Sequence, residues 1–381
     1  NCSFGASGVW NDLSEELQMA KTREDSKVIF SSAKKFNKTV INKSITKTSK
    51  PITNKDWTQQ NLNNGNHIPH LNYQNEKNLI SKSKKLGKNS FNIISEDFQP
   101  IIDNGVFYFY DPSGNILSYS IEREQLVWNY NFYKKRFKNV PKEISLHATK
   151  KSIIISDNLG FVYSLSKKNG KIKWAKSYGV PFRSNIKVDD ESIFLINQDN
   201  KFYAIDENTG EQKLDLETIP SFLKSKYKSN ISIDENSKNV YFITSAAEIY
   251  SLNYRNRNIN WFFSLTGGTS DQQSDLFYSS PVVYLDDKIF ASTFLSTFSM
   301  DSRTGALNWD FRFSTKISPI ILKNNVFLIS DEGFLVNLDR EKGKVIWSLN
   351  IFDNIKKLSQ DKTGNVTSIL FISGQIFVST S

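Results

Sequence analysis

Apolar residues along this chain come in short runs, each closed by glycine, asparagine or aspartate, and the arrangement of the runs repeats. Between Lys323 and Trp347 the run Val326-Phe327-Leu328-Ile329 is followed by Asp331-Glu332-Gly333, then Phe334-Leu335-Val336-Asn337-Leu338, then Asp339 to Gly343, then Lys344-Val345-Ile346-Trp347. Such runs, rich in β-branched and aromatic residues and bounded by turn formers, predict three strands joined by two tight turns. Counting back from Trp347 exposes the period. Four residues earlier stands Gly343, as Gly305 stands before Trp309, Gly170 before Trp174 and Gly210 before Leu214. Eight residues earlier stand Asp339, Asp301, Asp206, Asn253 and Ser166, and fourteen earlier Gly333, Gly160, Gly114 and Asn200. Twenty-eight earlier, Pro319, Pro281 and Pro100 each open an apolar run.

Six repeats therefore end at Trp128, Trp174, Leu214, Trp261, Trp309 and Trp347, at the spacing of about 40–50 residues that marks propeller-type arrays. Each offset has a physical reason. Aspartate followed by Thr/Asn-Gly fits a hairpin loop in which the carboxylate accepts backbone N–H groups and the glycine takes a positive φ. Proline suits the first position of a strand, where no ladder bond is lost. One indole per repeat offers a flat surface that packs against the neighbouring sheet. Sheets of this kind bury both faces only by stacking, and a closed ring leaves short, protected edges. The expectation is an all-β protein, an eight-bladed β-propeller of four-stranded antiparallel sheets, with seven blades as the runner-up count. Residues 1–26 read as an N-terminal anchor or tether segment and 27–381 as the propeller. Within it, 27–97 hold a degenerate first blade and a closing strand around Val28 to Phe30, 98–352 six clear repeats, and 353–381 a truncated last repeat.

The chain has 381 residues, 38% of them hydrophobic and 13% aromatic, enough for a core assembled from thin sheets. Its net charge of +10 is carried largely by lysines scattered through turns and linkers. No arginine-rich stripe with interleaved aromatics accompanies them, so nucleic acid is not an expected partner. No apolar stretch is long enough to span a bilayer as a helix. The single cysteine, Cys2, excludes an internal disulfide and a multi-cysteine metal cluster.

The Asp-x-x-Thr-Gly-x-x-x-Trp element, intact from Asp301 to Trp309, resembles the PQQ-type β-propeller repeat. That repeat is shared by quinoprotein dehydrogenases and by the BamB family of outer-membrane assembly lipoproteins. Two stretches resemble BamB more closely. Ser274-Asp275 followed by Ser279-Ser280-Pro281-Val282-Val283 is similar to the family's Ser-Asp-x-Asp-Thr-Thr-Pro-Val-Val, with one extra residue and without the second aspartate. Pro220-Ser221-Phe222-Leu223-Lys224 resembles its Pro-Ser-Leu-Ser-Leu-Arg loop, shortened and with lysine for arginine. The resemblance implies a non-enzymatic scaffold of the β-barrel assembly machinery that docks these loops on a POTRA domain of a BamA-like subunit. Phe222 and Leu223 would be apolar anchors, Lys224 a positive contact, and Asp271 and Asp275 negative ones, with unfolded outer-membrane proteins as clients. Cys2 followed by Ser3 resembles the lipid-modified cysteine of a bacterial lipoprotein, although Asn1 replaces the usual small residue. It implies a lipid anchor, and the absence of aspartate after the cysteine favours the periplasmic face of the outer membrane.

Other chemistry finds less support in the residues. A periplasmic PQQ-dependent dehydrogenase, the alternative that the repeat admits, needs a calcium ion held by six to eight converging oxygens. The carboxylates here, such as Asp189-Asp190-Glu191 and Asp286-Asp287, read instead as turn residues between strands, and no cofactor is expected. His67 and His70 have a spacing seen in zinc sites, but Pro69 argues against a helix and a third ligand is missing. His147 is isolated in an apolar run. Gly267-Gly268 lacks the lysine of a phosphate loop, and Ser279-Ser280 lacks the glycines of a nucleophile elbow. A generic ligand-sensing or adhesion propeller remains a further alternative.

Overall fold

Each apolar run of the repeat is a strand, and the turns between strands are built by the residues expected to build them. Asp301 Oδ1 accepts the N–H groups of Arg303 and Thr304 (3.0 and 2.9 Å) and the Thr304 hydroxyl. Asp206 does the same for Asn208 and Thr209, and Asp339 for Glu341 and Lys342. The first hairpin of a repeat closes on two residues with positive φ, Asp190-Glu191 (51° and 56°) or Asp286-Asp287 (49° and 56°), the geometry that matches strand twist. The acidic pairs are thus turn residues, and their carboxylates pair with cations: Asp189 with Lys238, Asp190 with Arg255, and Asp286 with Arg340.

The computed structural model describes residues 36–42, 48–73, 83, 86, 99–133, 137, 140–218, 228–265, 278–353 and 364–381. These hold seven antiparallel sheets whose strands pair in chain order. The first sheet contains β1 (Ile101–Asp103), β2 (Val106–Tyr110), β3 (Asn115–Ser120) and β4 (Gln125–Asn131). The second contains β5 (Ile144–Ala148), β6 (Ser152–Asp157), β7 (Phe161–Ser166) and β8 (Ile172–Ser177), and the third β9 (Lys187–Asp189), β10 (Ser192–Ile196), β11 (Phe202–Asp206) and β12 (Gln212–Leu216). In the fourth are β13 (Ser232–Asp234), β14 (Asn239–Ile243), β15 (Glu248–Asn253) and β16 (Asn258–Ser264), and in the fifth β17 (Val283–Leu285), β18 (Lys288–Ser292), β19 (Thr297–Asp301) and β20 (Leu307–Phe311). The sixth contains β21 (Ile320–Leu322), β22 (Asn325–Ile329), β23 (Phe334–Asp339) and β24 (Val345–Asn350), and the seventh the pair β25 (Val366–Ile372) and β26 (Gln375–Thr380). The fold is thus an all-β propeller, with six four-stranded blades and one two-stranded sheet among the described residues. Of residues 27–97, expected to hold the degenerate blade and closing strand, 27–35 with Val28 to Phe30, 43–47 and, apart from Ser83 and Leu86, 74–97 lie outside the described residues.

The cores lie between sheets. Tyr108 and Trp128 of the first sheet meet Ile153 and Tyr163 of the second, and Ile154 and Trp174 of the second meet Ile193 and Tyr203 of the third. Similar shared cores join each successive pair up to the sixth and seventh sheets. The repeat tryptophans are the joints. Trp128 Nε1 donates to the Lys167 carbonyl of the next sheet (2.9 Å), Trp174 to Glu207 (2.9 Å), Trp261 to Ser302 (3.1 Å) and Trp309 to Arg340 (2.8 Å). Each acceptor lies in the turn between the third and fourth strands. The glycine of that turn takes positive φ, and a Cβ on Gly170, Gly210 or Gly343 would stand 2.5–2.6 Å from the incoming indole. Within its own sheet each tryptophan faces a small or polar residue, Ser118, Ser164, Ser251, Ser299 or Asn337, where the ladder shifts register. The shift is a bulge that twists the outer strand.

Candidate interaction face and the occupied axis

Consecutive antiparallel order divides the turns between two faces. The turns joining first to second and third to fourth strands share one face. The second-to-third turns share the other with the connections that leave each fourth strand for the next sheet. The connections β12–β13 and β16–β17 therefore both leave one sheet and enter the next on this second face, on either side of the fourth sheet. Their described ends are fixed there. Thr218 Oγ1 donates to the Asn200 carbonyl (2.9 Å), and Ser229 N–H to Arg183 (2.8 Å) and Leu265 N–H to Ala247 (2.7 Å). Tyr278 OH meets Ser314 Oγ at 2.7 Å, and Lys316 Nζ stands 5.1 Å from the Tyr278 ring centroid. Phe222, Leu223, Lys224, Asp271, Asp275 and Cys2, with Gly267 and Gly268, lie outside the described residues.

The other distinctive feature is one that sequence reasoning missed. The first strand of each blade has a free edge turned to the ring axis, with N–H and C=O groups to satisfy. Residues 57–73 run past these edges in order. Trp57 exchanges two backbone bonds with Ile102 of β1 (2.7 and 2.8 Å), and the Thr58 carbonyl accepts from Ala148 of β5 (2.8 Å). Asn64 Nδ2 donates to Val188 of β9 (3.0 Å), while the Asn64 and Gly65 carbonyls accept from Ile233 of β13 and Tyr284 of β17 (both 2.8 Å). His67 Nε2 donates to Ile321 of β21 (2.9 Å), and Leu71 bonds Phe371 of β25 (3.0 Å) and Ser373 (2.8 Å). All seven described sheets are touched. Trp57 pairs with Ile102 and Leu71 with Ile372, so the two ends of this strap stand by the first and seventh sheets, and Leu71 also pairs with Ile52 ahead of the strap.

Sharp bends let the strap follow the ring. Asn61, Leu62 and Asn66 have φ of 59°, 71° and 57°, and a Cβ on Gly65 would meet the Tyr284 carbonyl oxygen at 2.7 Å. Asn66, fully buried, donates to the Ile231 and Val282 carbonyls (2.9 and 2.8 Å) and accepts from Asn61 and Asn185 (3.4 and 3.3 Å). Both donors and both acceptors of its amide are used. Lys187 of β9, also buried, donates to Gln59 Oε1, the Gln60 carbonyl and the Asn63 carbonyl (3.0, 3.2 and 2.6 Å). Burial holds its ammonium well below the ordinary lysine pKa, against the pull of Glu235.

The histidines are spent on this scaffold. His67 is pushed down by burial. His70 Nδ1 donates to the Ser49 carbonyl (2.6 Å) and its Nε2 accepts from Gly374 N–H (2.8 Å), so the two strap histidines bond to different sheets. His147 of β5 lies beside the strap, with Nδ1 3.1 Å from the Ile186 carbonyl, and burial pushes it to about 4. Ser280 is buried too; its Oγ accepts from Ser292 N–H (2.9 Å) and donates to the Pro281 carbonyl.

Two uncharacterized rickettsial proteins are similar in sequence. The protein of Rickettsia prowazekii (strain Madrid E) is 25% identical over 268 residues, 68% of this chain and 64% of its own length. That of Rickettsia conorii (strain ATCC VR-613 / Malish 7) is 21% identical over 255 residues, 67% of this chain and 53% of its own. The chain thus spans less than two thirds of either relative. The crystal structure of BamB from Moraxella catarrhalis superposes with a TM-score of 0.57 at 15% identity, covering 68% of this chain and 77% of that one, a likeness of fold. Residues 144–349, from the start of β5 almost to the end of β24 and more than half of the chain, match the family described as outer membrane protein assembly factor BamB. With its ring of indole-jointed, PQQ-type sheets, the chain belongs to the BamB family.

Proposed function

We propose that this propeller is a non-enzymatic scaffold in outer-membrane protein assembly, held to the periplasmic face of the outer membrane through lipid on Cys2. It docks on a BamA-like subunit through the connections at 220–228 and 266–280. The observation that carries the reading is the family match across five consecutive sheets, joined to a topology in which the described ends of both connections share one face beside the fourth sheet. Adjacent loops on a rigid ring suit partner recognition, because a scaffold that does not deform loses little entropy on binding. Phe222 and Leu223 are the apolar anchors, Lys224 the positive contact, and Asp271 and Asp275 the negative ones. The axis, the natural cavity of a ring of sheets, is lined by the chain's own strap, which favours a scaffold over a catalyst.

Leu223→Ala combined with Asp275→Ala is expected to lower co-purification of the BamA-like subunit by about tenfold or more, the loss of a small hot spot, with unchanged thermal unfolding. Recovery of the partner at the wild-type level would overturn this interface.

A further inference from the structure

The outermost strand of a blade presents an unpaired edge. β4, β8 and β16 leave most of their residues exposed, whereas β24 does not: Ser348 at its centre is 1% exposed. The cover is residues 36–42. Val40 and Ser348 exchange backbone bonds (Val40 N–H to Ser348 O, 3.0 Å; Ser348 N–H to Val40 O, 2.9 Å) in an antiparallel bridge. Ser348 Oγ donates to the Lys38 carbonyl (2.6 Å) and lies 3.0 Å from Val40 N. Four residues before Val40, Phe36 donates its N–H to the Arg312 carbonyl (2.7 Å). Its ring lies 5.0 Å from that of Phe311 and 6.2 Å from that of Phe334, over the core shared by the fifth and sixth sheets, where Phe313 also packs.

We propose that this outer groove is a peptide-binding site of the strand-addition kind, which the chain fills in cis with its own Phe36-Asn37-Lys38-Thr39-Val40. Its ligand class is an extended segment with an aromatic residue and, four positions on, a β-branched one. The aromatic drops between Phe311 and Phe334, and the backbone extends the edge of β24. The arm holds by one ring and a few backbone bonds, unlike the strap with its buried amides. Its occupancy therefore depends on the effective concentration that the connected chain supplies, and a second segment of the same pattern competes for the same edge.

The test uses the full chain and a fluorescent peptide with the sequence of residues 33–44, followed by anisotropy. Chain carrying Phe36→Ala with Val40→Pro, whose arm can neither fill the pocket nor donate the bond, is expected to bind the peptide about tenfold or more tightly than wild type, because intramolecular competition is removed. The same peptide with alanine in place of its phenylalanine is expected to lose that binding. Adding Ser348→Pro to the arm variant removes the edge donor at a position where an outer strand tolerates proline, and is expected to abolish binding with melting unchanged. Equal affinity for wild type and arm variant, or an alanine peptide that binds as well, would overturn the proposal.

Discussion

Arg257 occupies the turn position that Gly170, Gly210, Gly305 and Gly343 occupy in other repeats, and the reason lies one sheet away. In those four the preceding sheet sends an indole onto the turn, so a side chain has no room. Before Arg257 the preceding repeat ends in Leu214, and Tyr254 of the fourth sheet takes up the space, its ring 4.6 Å from that of Phe194 and its hydroxyl donating to Asp189. Gly343→Ala is therefore expected to cost about 3 kcal/mol, from a left-handed φ of 64° and contact with the rigid Trp309 ring. Arg257→Ala, at a similar φ of 60°, is expected to stay within about 0.5 kcal/mol. Urea unfolding of the two variants measures the contrast, and equal losses would refute the pairing of indole with glycine. The offsets themselves were legible in the sequence. So were the positive φ of the glycine and the packing of the indole on the neighbouring sheet; that the indole lands on the glycine of the next repeat was not, because the two belong to different repeats.

The strap shows why a segment can escape pattern reading. Residues 57–73 show the repeat only poorly, and the sequence predicts a degenerate blade there, although Gln59, Asn61, Asn64 and Asn66 break the alternation of a strand. Their side chains are nonetheless buried, because they face the polar edges of strands and not an apolar sheet surface. Periodicity finds elements that bury hydrophobic groups; it is blind to one that buries amides. The strands of six repeats, their turns and the β25–β26 pair were all readable, since each meets an apolar core. Asn66→Asp is expected to cost at least about 3 kcal/mol, because the carboxylate turns two donors into acceptors facing the Ile231 and Val282 carbonyls. Unfolding free energies compared with wild type test this, and a loss under about 1 kcal/mol would show that the strap is dispensable to the ring.

For the whole molecule, the buried bases set how stability follows pH. His147 has a folded pKa of about 4 against about 6.5 unfolded. Its contribution is complete above about 6.5 and is lost as pH falls through 4, up to about 3 kcal/mol for a buried group. His67 and Lys187, also lowered by burial, act in the same direction, while Asp157, raised by burial, opposes them. Above pH 10 the sign reverses for Tyr108, which burial raises to about 12, so its stabilisation fades from about 10 upward. A His147→Asn variant keeps a donor for Ile186 and is expected to lose about 3 kcal/mol less than wild type between pH 6.5 and 4; parallel curves would refute the assignment. The candidate partner residues were reachable from the sequence only by resemblance, because nothing in the spacing of Phe222 to Lys224 or of Asp271 and Asp275 distinguishes a docking loop from any other connection.

The strap is made early and used late. A ribosome delivers residues 57–73 before any of the seven sheets, yet His70 meets Gly374 across a separation of 304 residues. Blades grow from local hairpins and form quickly, whereas contacts this distant in sequence carry the slowest closure. Until β25 and the turn after it emerge, Leu71 lacks Phe371 and Ser373 and His70 lacks Gly374, while Asn64 and Asn66 already have their partners from Asn185 to Val282. Docking of residues 70–73 is therefore the last step in assembling the strap, and it waits for synthesis of the turn between β25 and β26.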